Sequence, residues 1–253
     1  MGVKTTITLK EANSLFEGFE FKKLTPTKDG VMDTTYFADG FVLKKYERYV
    51  DVKRDTELLN ILKKNGLDVP TCRAKNDPFY LYEKLNGLHV KSVKTFHIVA
   101  MARFFKTFHN IKFKTLKYDE VVKQDEVKKL LNYTKTHFFY YYKKLHFLQN
   151  YNLHVDGVIH ADMFKDNVLF EKQKVKVFDF IDSANGSFLF DVGVFFVGFG
   201  IDKKLFYKKL FLKIYNPKIT LTKLEEAIKY AKAFYALKRI EKYKNTKKAK
   251  ELL

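Results

Sequence analysis

Two different spacings of apolar residues divide the chain. Residues 19–26, 31–38 and 41–46 are short runs of aromatic and β-branched side chains, separated by Lys28, Asp29 and Gly30 and then by Asp39 and Gly40, which are turn residues. They predict three antiparallel strands. Asp51 follows as a helix cap, and Leu58, Leu59, Ile61 and Leu62 keep helical spacing until Asn65 and Gly66 stop them. Two more strands are expected over 69–75 and 79–85, joined at Asn76, Asp77 and Pro78 and closed by Asn86 and Gly87. From 92 to 110 the apolar residues Phe96, Val99, Ala100, Phe104 and Phe108 recur at three and four, which predicts a helix. Residues 116–149 predict two helical stretches dense in aromatics, and the run from Phe138 to Tyr142 reads as core packing. A second small β region, at 157–159, 168–171 and 175–178, precedes a last helical stretch over 221–243. The fold class is therefore α+β: a small antiparallel β lobe with one helix over 1–86, then a larger, mainly helical lobe over 87–253, hinged near Asn86 and Gly87.

Composition narrows the class of protein. With 253 residues, 46% hydrophobic side chains, 26 Phe and 16 Tyr, the chain can bury a sizeable core and is far from the disordered class. Cys72 is the single cysteine, so neither an intramolecular disulfide nor a thiolate metal cluster can form, and a reducing compartment is expected. Lys4, Lys10, Glu11 and Asn13 interrupt the opening, which therefore lacks the unbroken apolar region of a signal peptide. The longest apolar stretch, 188–201, contains Asp191 and falls short of the roughly 20 residues that span a bilayer. The expected location is cytoplasmic, with no membrane partner. The net charge of +19 would attract polyanions, but only five basic residues are arginine, the type favoured for bidentate base and phosphate contacts, so no nucleic-acid partner is expected.

The chemistry lies in Gly157-Val-Ile-His-Ala-Asp-Met-Phe-Lys-Asp-Asn-Val-Leu-Phe170 and the following Val175-Lys-Val-Phe-Asp-Phe-Ile-Asp182. A strand ends at His160, Asp162 stands two residues later, Asn167 five beyond it, and Asp179 closes the next hairpin. Phosphoryl transfer needs these groups: one carboxylate for the alcohol proton, and an amide oxygen and a second carboxylate to hold magnesium against the phosphates. The spacing from Asp162 to Asn167 equals that of H-R-D-x-x-x-x-N, and Asp179-Phe180 stands where D-F-G begins. A lone loop aspartate is a turn residue more often than a catalyst, but this ordered set is specific. An independent requirement is met upstream, where Lys44 shares a strand face with Val42 and can hold nucleotide phosphates, while Lys45 points the other way to solvent. Asp55 and Glu57 on the next helix compete to partner Lys44, and being two apart they cannot share a face; Glu57 is preferred. No G-x-x-x-x-G-K-[ST] or G-x-G-x-x-G occurs, so the turn Asp29-Gly30-Val31 would cover the phosphates with backbone amides. A binding protein on the same frame could lose any of Lys44, Asp162, Asn167 or Asp179; all four are present.

With these residues the chain resembles the aminoglycoside phosphotransferase and choline kinase superfamily over nearly its full length, and within it the kinase-fold homoserine kinases most. Gly30-Val-Met-Asp-Thr-Thr-Tyr-Phe37 is similar to their G-x-x-N-T-N-Y-F turn, and His160-Ala-Asp-Met-Phe-Lys-Asp-Asn-Val-Leu-Phe170 to H-A-D-L-F-x-D-N-V-L-F. The resemblance implies a protein-kinase-like two-lobed fold, ATP and Mg as co-substrates, and phosphorylation of a hydroxyl on a small-molecule alcohol. It implies Asp162 as catalytic base, Asn167 and Asp179 as magnesium ligands, Gly30, Thr34, Lys44 and Glu57 at the nucleotide, and a hinge from Glu83 to Leu85 whose backbone meets adenine. It also implies that His160 and Asp191 support the site. Departures are Asp33 where the family usually has Asn, Lys44 where many homoserine kinases have Thr, and Lys165 in place of a Pro.

The acceptor is expected to contact the block 111–156, which holds nine lysines, five acids and ten aromatics. That excess counts against polycationic aminoglycosides and mildly favours homoserine, whose carboxylate a lysine can hold. Choline would want an aromatic cage such as Tyr140 to Tyr142 could supply.

Overall fold

The computed structural model describes residues 3–27, 32–150 and 153–253. The chain folds into two compact units, Met1–Gly87 with Lys176–Ile181, and Leu88–Val175 with Asp182–Leu253.

The first unit opens with α1 (Leu9–Leu15), which the apolar spacing did not predict although its signal is present. Thr8 and Glu11 form a reciprocal capping box, satisfying two amides that a helix start leaves without partners. Five strands follow in one antiparallel sheet: β1 (Leu24–Pro26), β2 (Thr34–Ala38), β3 (Phe41–Lys45), β4 (Cys72–Asn76) and β5 (Phe79–Glu83), in the spatial order β1-β2-β3-β5-β4. The first is shorter than its apolar run because Phe21 leaves the ladder. The Asn13 side chain takes both its amide, at 2.7 Å, and its carbonyl, at 3.1 Å, and the ring joins Ala12, Phe16, Tyr36, Leu43 and Leu81 in the core under the sheet. Lys45 is not simply solvated as its strand face suggests; its ammonium reaches Thr5 Oγ1 at 2.6 Å and Glu47 at 3.0 Å.

Between β3 and β4 lies α2 (Val52–Lys64), capped by Asp51, whose Oδ1 accepts from the Arg54 amide at 2.9 Å. It ends at Gly66, whose φ of +78° suits the reversal that lets the Leu67 amide reach back to the Leu62 carbonyl at 3.1 Å. Lys176–Ile181 groups with this unit although its sequence neighbours do not, and the Val177 amide donates to the Asp68 carbonyl at 3.0 Å.

The second unit holds α3 (Thr95–Asn110), α4 (Gln124–His137), α5 (Phe139–Leu145), the short strands β6 (Gly157–Ile159) and β7 (Val168–Glu171), and the start of β8 (Lys174–Val177). After Ile181 it continues with β9 (Ala184–Gly186), antiparallel to β6, and then α6 (Phe188–Gly198), α7 (Leu205–Tyr215), α8 (Leu221–Tyr243) and α9 (Lys247–Lys250). Helix α6 is the centre, with every residue from Phe190 to Val197 buried, and it packs along α8. Gly193 permits that approach, since a Cβ there would lie 2.7 Å from the Ala227 carbonyl oxygen. The aromatic run of α5 is not core: Phe139 is 53% and Tyr140 62% exposed, because the face of that turn buried in the unit is Leu145.

Candidate active site

In the second unit the functional residues sit in the loop that leaves β6. Asp191, with no exposed surface, receives the amides of His160 and Ala161 on its two oxygens, each at 2.9 Å. Its Oδ2 also lies 3.3 Å from His109 Nε2, and His109 Nδ1 is 2.8 Å from the Tyr215 hydroxyl. The His109 ring lies flat on Phe188, with centroids 4.2 Å apart and planes 4° from parallel. A helix buried all round thus carries one carboxylate that anchors the loop, and an aromatic stack holds the carboxylate's own partner.

The loop then folds on itself. The Asp162 amide donates to His160 Nδ1 at 3.2 Å, and the Phe164 amide to the Asp162 carbonyl at 2.8 Å. Asn167 Nδ2 reaches both the Asp162 carbonyl, at 2.8 Å, and its carboxylate Oδ2, at 2.9 Å. With its amide nitrogen turned to Asp162, Asn167 keeps its oxygen as a hard donor for a cation. Gly198 gives this loop room, because a Cβ there would press to 2.9 Å on the Met163 carbonyl oxygen and on Phe164. His89, which the sequence did not single out, has Nδ1 3.1 Å from the carbonyls of both Lys165 and Val168 and braces the turn that carries Asn167. No local signal could have revealed it, since 76 residues separate it from Lys165.

In the first unit Lys44 is the focus. Its ammonium pairs with Asp179 Oδ1 at 2.7 Å, lies 3.9 Å from Asp33 Oδ2 and sits over the Tyr46 ring at 4.9 Å. Burial alone would lower its pKa, but the Asp179 carboxylate, with Tyr46 and Asp33, raises it, so Lys44 stays protonated. Asp179, two residues beyond β8, takes a left-handed φ of +66°.

On α2, Asp55 is an acid on which the Lys44 charge acts. Asp55 is buried, its Oδ2 accepts from the Tyr82 hydroxyl at 3.1 Å, and that hydroxyl also contacts Tyr46 at 3.1 Å. Desolvation pushes its pKa up to about 6, against the lowering effects of the Tyr82 hydrogen bond and of Lys44. Glu57 lies half-buried on the same helix.

Thr34 in β2 and Glu83 in β5 belong to the same sheet as Lys44. Thr34 is 1% exposed and cannot present its hydroxyl to a nucleotide: Oγ1 accepts from the amides of Lys4 and Thr5, each at 2.9 Å, and donates to Glu47 at 2.6 Å. It ties the amino-terminal segment to the end of β3. Glu83 ends β5 with its amide bound to the Thr71 carbonyl at 2.8 Å, its carboxylate 3.2 Å from Lys63 and 3.3 Å from Arg73, and Leu85 follows, half-buried. Gly30 and the turn around it lie outside the described residues. Among the described residues no group of three or more His, Cys, Asp or Glu could hold a metal, and no helix is long and apolar enough to cross a membrane.

An Asp-Asn loop anchored by a buried carboxylate in one unit, and a sheet lysine paired with an aspartate in the other, are groups of the kind that kinase-type phosphotransfer uses. Residues 23–227 match the phosphotransferase enzyme family, APH, and the chain belongs to that family. Solved structures share its fold across nearly the whole chain. The gentamicin–APH(2'')-IIa complex has a TM-score of 0.71 at 19% identity, covering 98% of this chain and 94% of that one. A choline/ethanolamine kinase family protein from Mesorhizobium loti has a TM-score of 0.72 at 12% identity, covering 96% and 94%. Macrolide 2'-phosphotransferase type I has 0.69 at 16%, covering 98% and 96%. No curated protein matches the chain. The α+β fold with a small antiparallel sheet and a larger helical part is the one expected, and so is the enzyme class, a phosphotransferase.

Proposed function

We propose that the protein transfers the γ-phosphoryl group of ATP to the hydroxyl of a small molecule, with magnesium, and that homoserine is the acceptor. The observation that carries the reaction is the Asp162 carboxylate, oriented by Asn167 Nδ2 at 2.9 Å on a loop whose amides are anchored by Asp191. Asp162 accepts the hydroxyl proton as the alcohol oxygen bonds to the γ-phosphorus. The bond from that phosphorus to the bridging oxygen breaks, and ADP leaves. Little covalent chemistry falls to the protein, so fixing the base is its main contribution.

Lys44 holds phosphate oxygens as a permanent cation, and Asp55 takes the supporting role first given to Glu57. Glu83 and Leu85 offer backbone to adenine. The Asn167 oxygen and the Asp179 carboxylate are hard donors that suit magnesium, which binds through one or two carboxylates and substrate phosphates rather than through an all-protein cage. The ion supplies neutralisation of the phosphate charge.

For the acceptor, two features support a carboxylate-bearing alcohol. The chain carries +19, which disfavours polycations. Two of the three aromatics that could cage choline are faced by the protein's own lysines, Lys144 lying 4.6 Å over Tyr140 and Lys135 5.6 Å over Tyr142.

The test is ADP release from magnesium-ATP with homoserine, choline, kanamycin or no acceptor. Homoserine should stimulate it, and Asp162→Asn should lower the stimulated rate about 10²- to 10⁴-fold while ATP still binds. A choline or kanamycin rate would keep the mechanism and replace the acceptor; an unchanged rate in Asp162→Asn would overturn the mechanism.

A further inference from the structure

We infer that Tyr235 is a positioning residue for phosphoryl transfer: its hydroxyl holds the Ala161 carbonyl and, through that peptide, the aim of Asp162. The inference rests on the phosphotransfer reading above.

The carbonyl of Ala161 and the amide of Asp162 are two ends of one planar peptide, so whatever grips them sets the orientation of the Asp162 Cα. At the amide end the grip is His160 Nδ1, at 3.2 Å. At the carbonyl end it is the Tyr235 hydroxyl, which donates to the Ala161 oxygen from α8. Ala161 itself has φ +66°, a left-handed conformation that a residue with a Cβ holds only when its surroundings impose it. Its amide is bound to Asp191 Oδ1 at 2.9 Å, so Asp191 and Tyr235 clamp the residue from both sides.

The phenol is placed as firmly as the peptide. Its ring meets Phe164 edge-on at 5.4 Å, lies parallel to Phe190 at 6.3 Å and crosses Phe234 at 5.7 Å, contacts from the loop, from α6 and from its own helix. Burial, and then the carboxylates of Asp162, Asp191 and Asp182, keep the hydroxyl protonated and therefore a donor. Asn167 holds the Asp162 carboxylate and carbonyl from the other side. Removing the Tyr235 hydroxyl would leave the Asp162 peptide gripped at one end and free to rock, which moves the carboxylate without emptying the core.

Tyr235→Phe keeps the ring and removes only the donor. In magnesium-ATP assays with homoserine, choline and kanamycin, kcat with the acceptor that wild type uses should fall about tenfold or more, while KM for ATP stays within about twofold. Leu131→Ala, at a buried residue of α4 that belongs neither to the loop nor to the rings around Tyr235, should lower the thermal midpoint at least as much and leave kcat near wild type. That split separates positioning from general loosening. Wild-type kcat in Tyr235→Phe, or an equal loss of kcat in Leu131→Ala, would overturn the inference. If wild type turns over and Asp162→Asn does not, such a result removes only the role of Tyr235; no turnover by wild type with any acceptor removes the phosphotransfer reading and this inference with it.

Discussion

Removing a carboxylate from water costs the ionised form most, and Asp55 meets that cost with a single hydrogen bond, from Tyr82, while its Oδ1 has no hydrogen-bond partner among the described residues. Its folded pKa of about 6 stands above the ordinary 3.8, so the folded state binds the proton more tightly. Linkage then fixes the sign: the contribution to stability is fully present below about 3.8 and is lost as pH rises through about 6. Asp55→Asn keeps an acceptor for Tyr82 and carries no charge, so it should stabilise the protein at pH 8, by at most about 3 kcal/mol, and make little difference near pH 4. Urea unfolding of both forms at the two pH values checks this; a stability gap that does not widen with pH would rule out buried charge as the cause. The same variant should bind ATP less tightly, because Lys44 loses a nearby carboxylate. Residues of this kind mark where sequence reasoning stops. His160, Asp162 and Asn167 were legible because eight consecutive residues hold them, and Lys44 because strand alternation places it. The choice between Asp55 and Glu57, and the structural tie made by Thr34, depend on which face another segment covers, and no local pattern records that.

At the scale of elements, most helices and strands were legible from spacing, and those that were not have physical reasons. Helix α6 shows no amphipathic period because it is buried on every side, so it reads only as an apolar stretch. Helix α1 is a short one announced by its cap rather than by apolar residues. The aromatic run of α5 misleads in the opposite direction, since its rings lie at the surface under lysine ammonium groups. The close crossing of α6 and α8 depends on Gly193. In Gly193→Ala the new methyl would meet the Ala227 carbonyl oxygen at 2.7 Å, in backbone that cannot step aside cheaply. Helix propensity favours alanine by about 1 kcal/mol, and overpacking costs about 1–3 kcal/mol, so a net loss is expected. The thermal midpoint should drop by up to about 8 °C for a chain of this size. A rise would mean that propensity decides and that the crossing has slack. Because α6 also carries Asp191, activity should fall more steeply than stability.

Charge belongs to the whole molecule and was wholly legible in composition, though its use was not. A chain with 48 basic and 29 acidic side chains carries a positive potential that extends about 10 Å at 0.1 M salt and contracts as salt is added. Magnesium-ATP is anionic, so its association should slow and its KM rise several-fold between about 20 and about 200 mM salt. A polycationic acceptor obeys the opposite sign. Salt screens its repulsion, so any kanamycin-dependent rate at low acceptor concentration should improve over the same range once ATP is saturating. A homoserine-dependent rate should change little, since that molecule carries one charge of each sign. Initial rates at two salt concentrations and saturating ATP therefore test the acceptor by electrostatics alone. A kanamycin rate that is high at low salt and falls as salt is added would mean that a local acidic surface outweighs the net charge of +19, and the argument from charge to a carboxylate-bearing acceptor would fail.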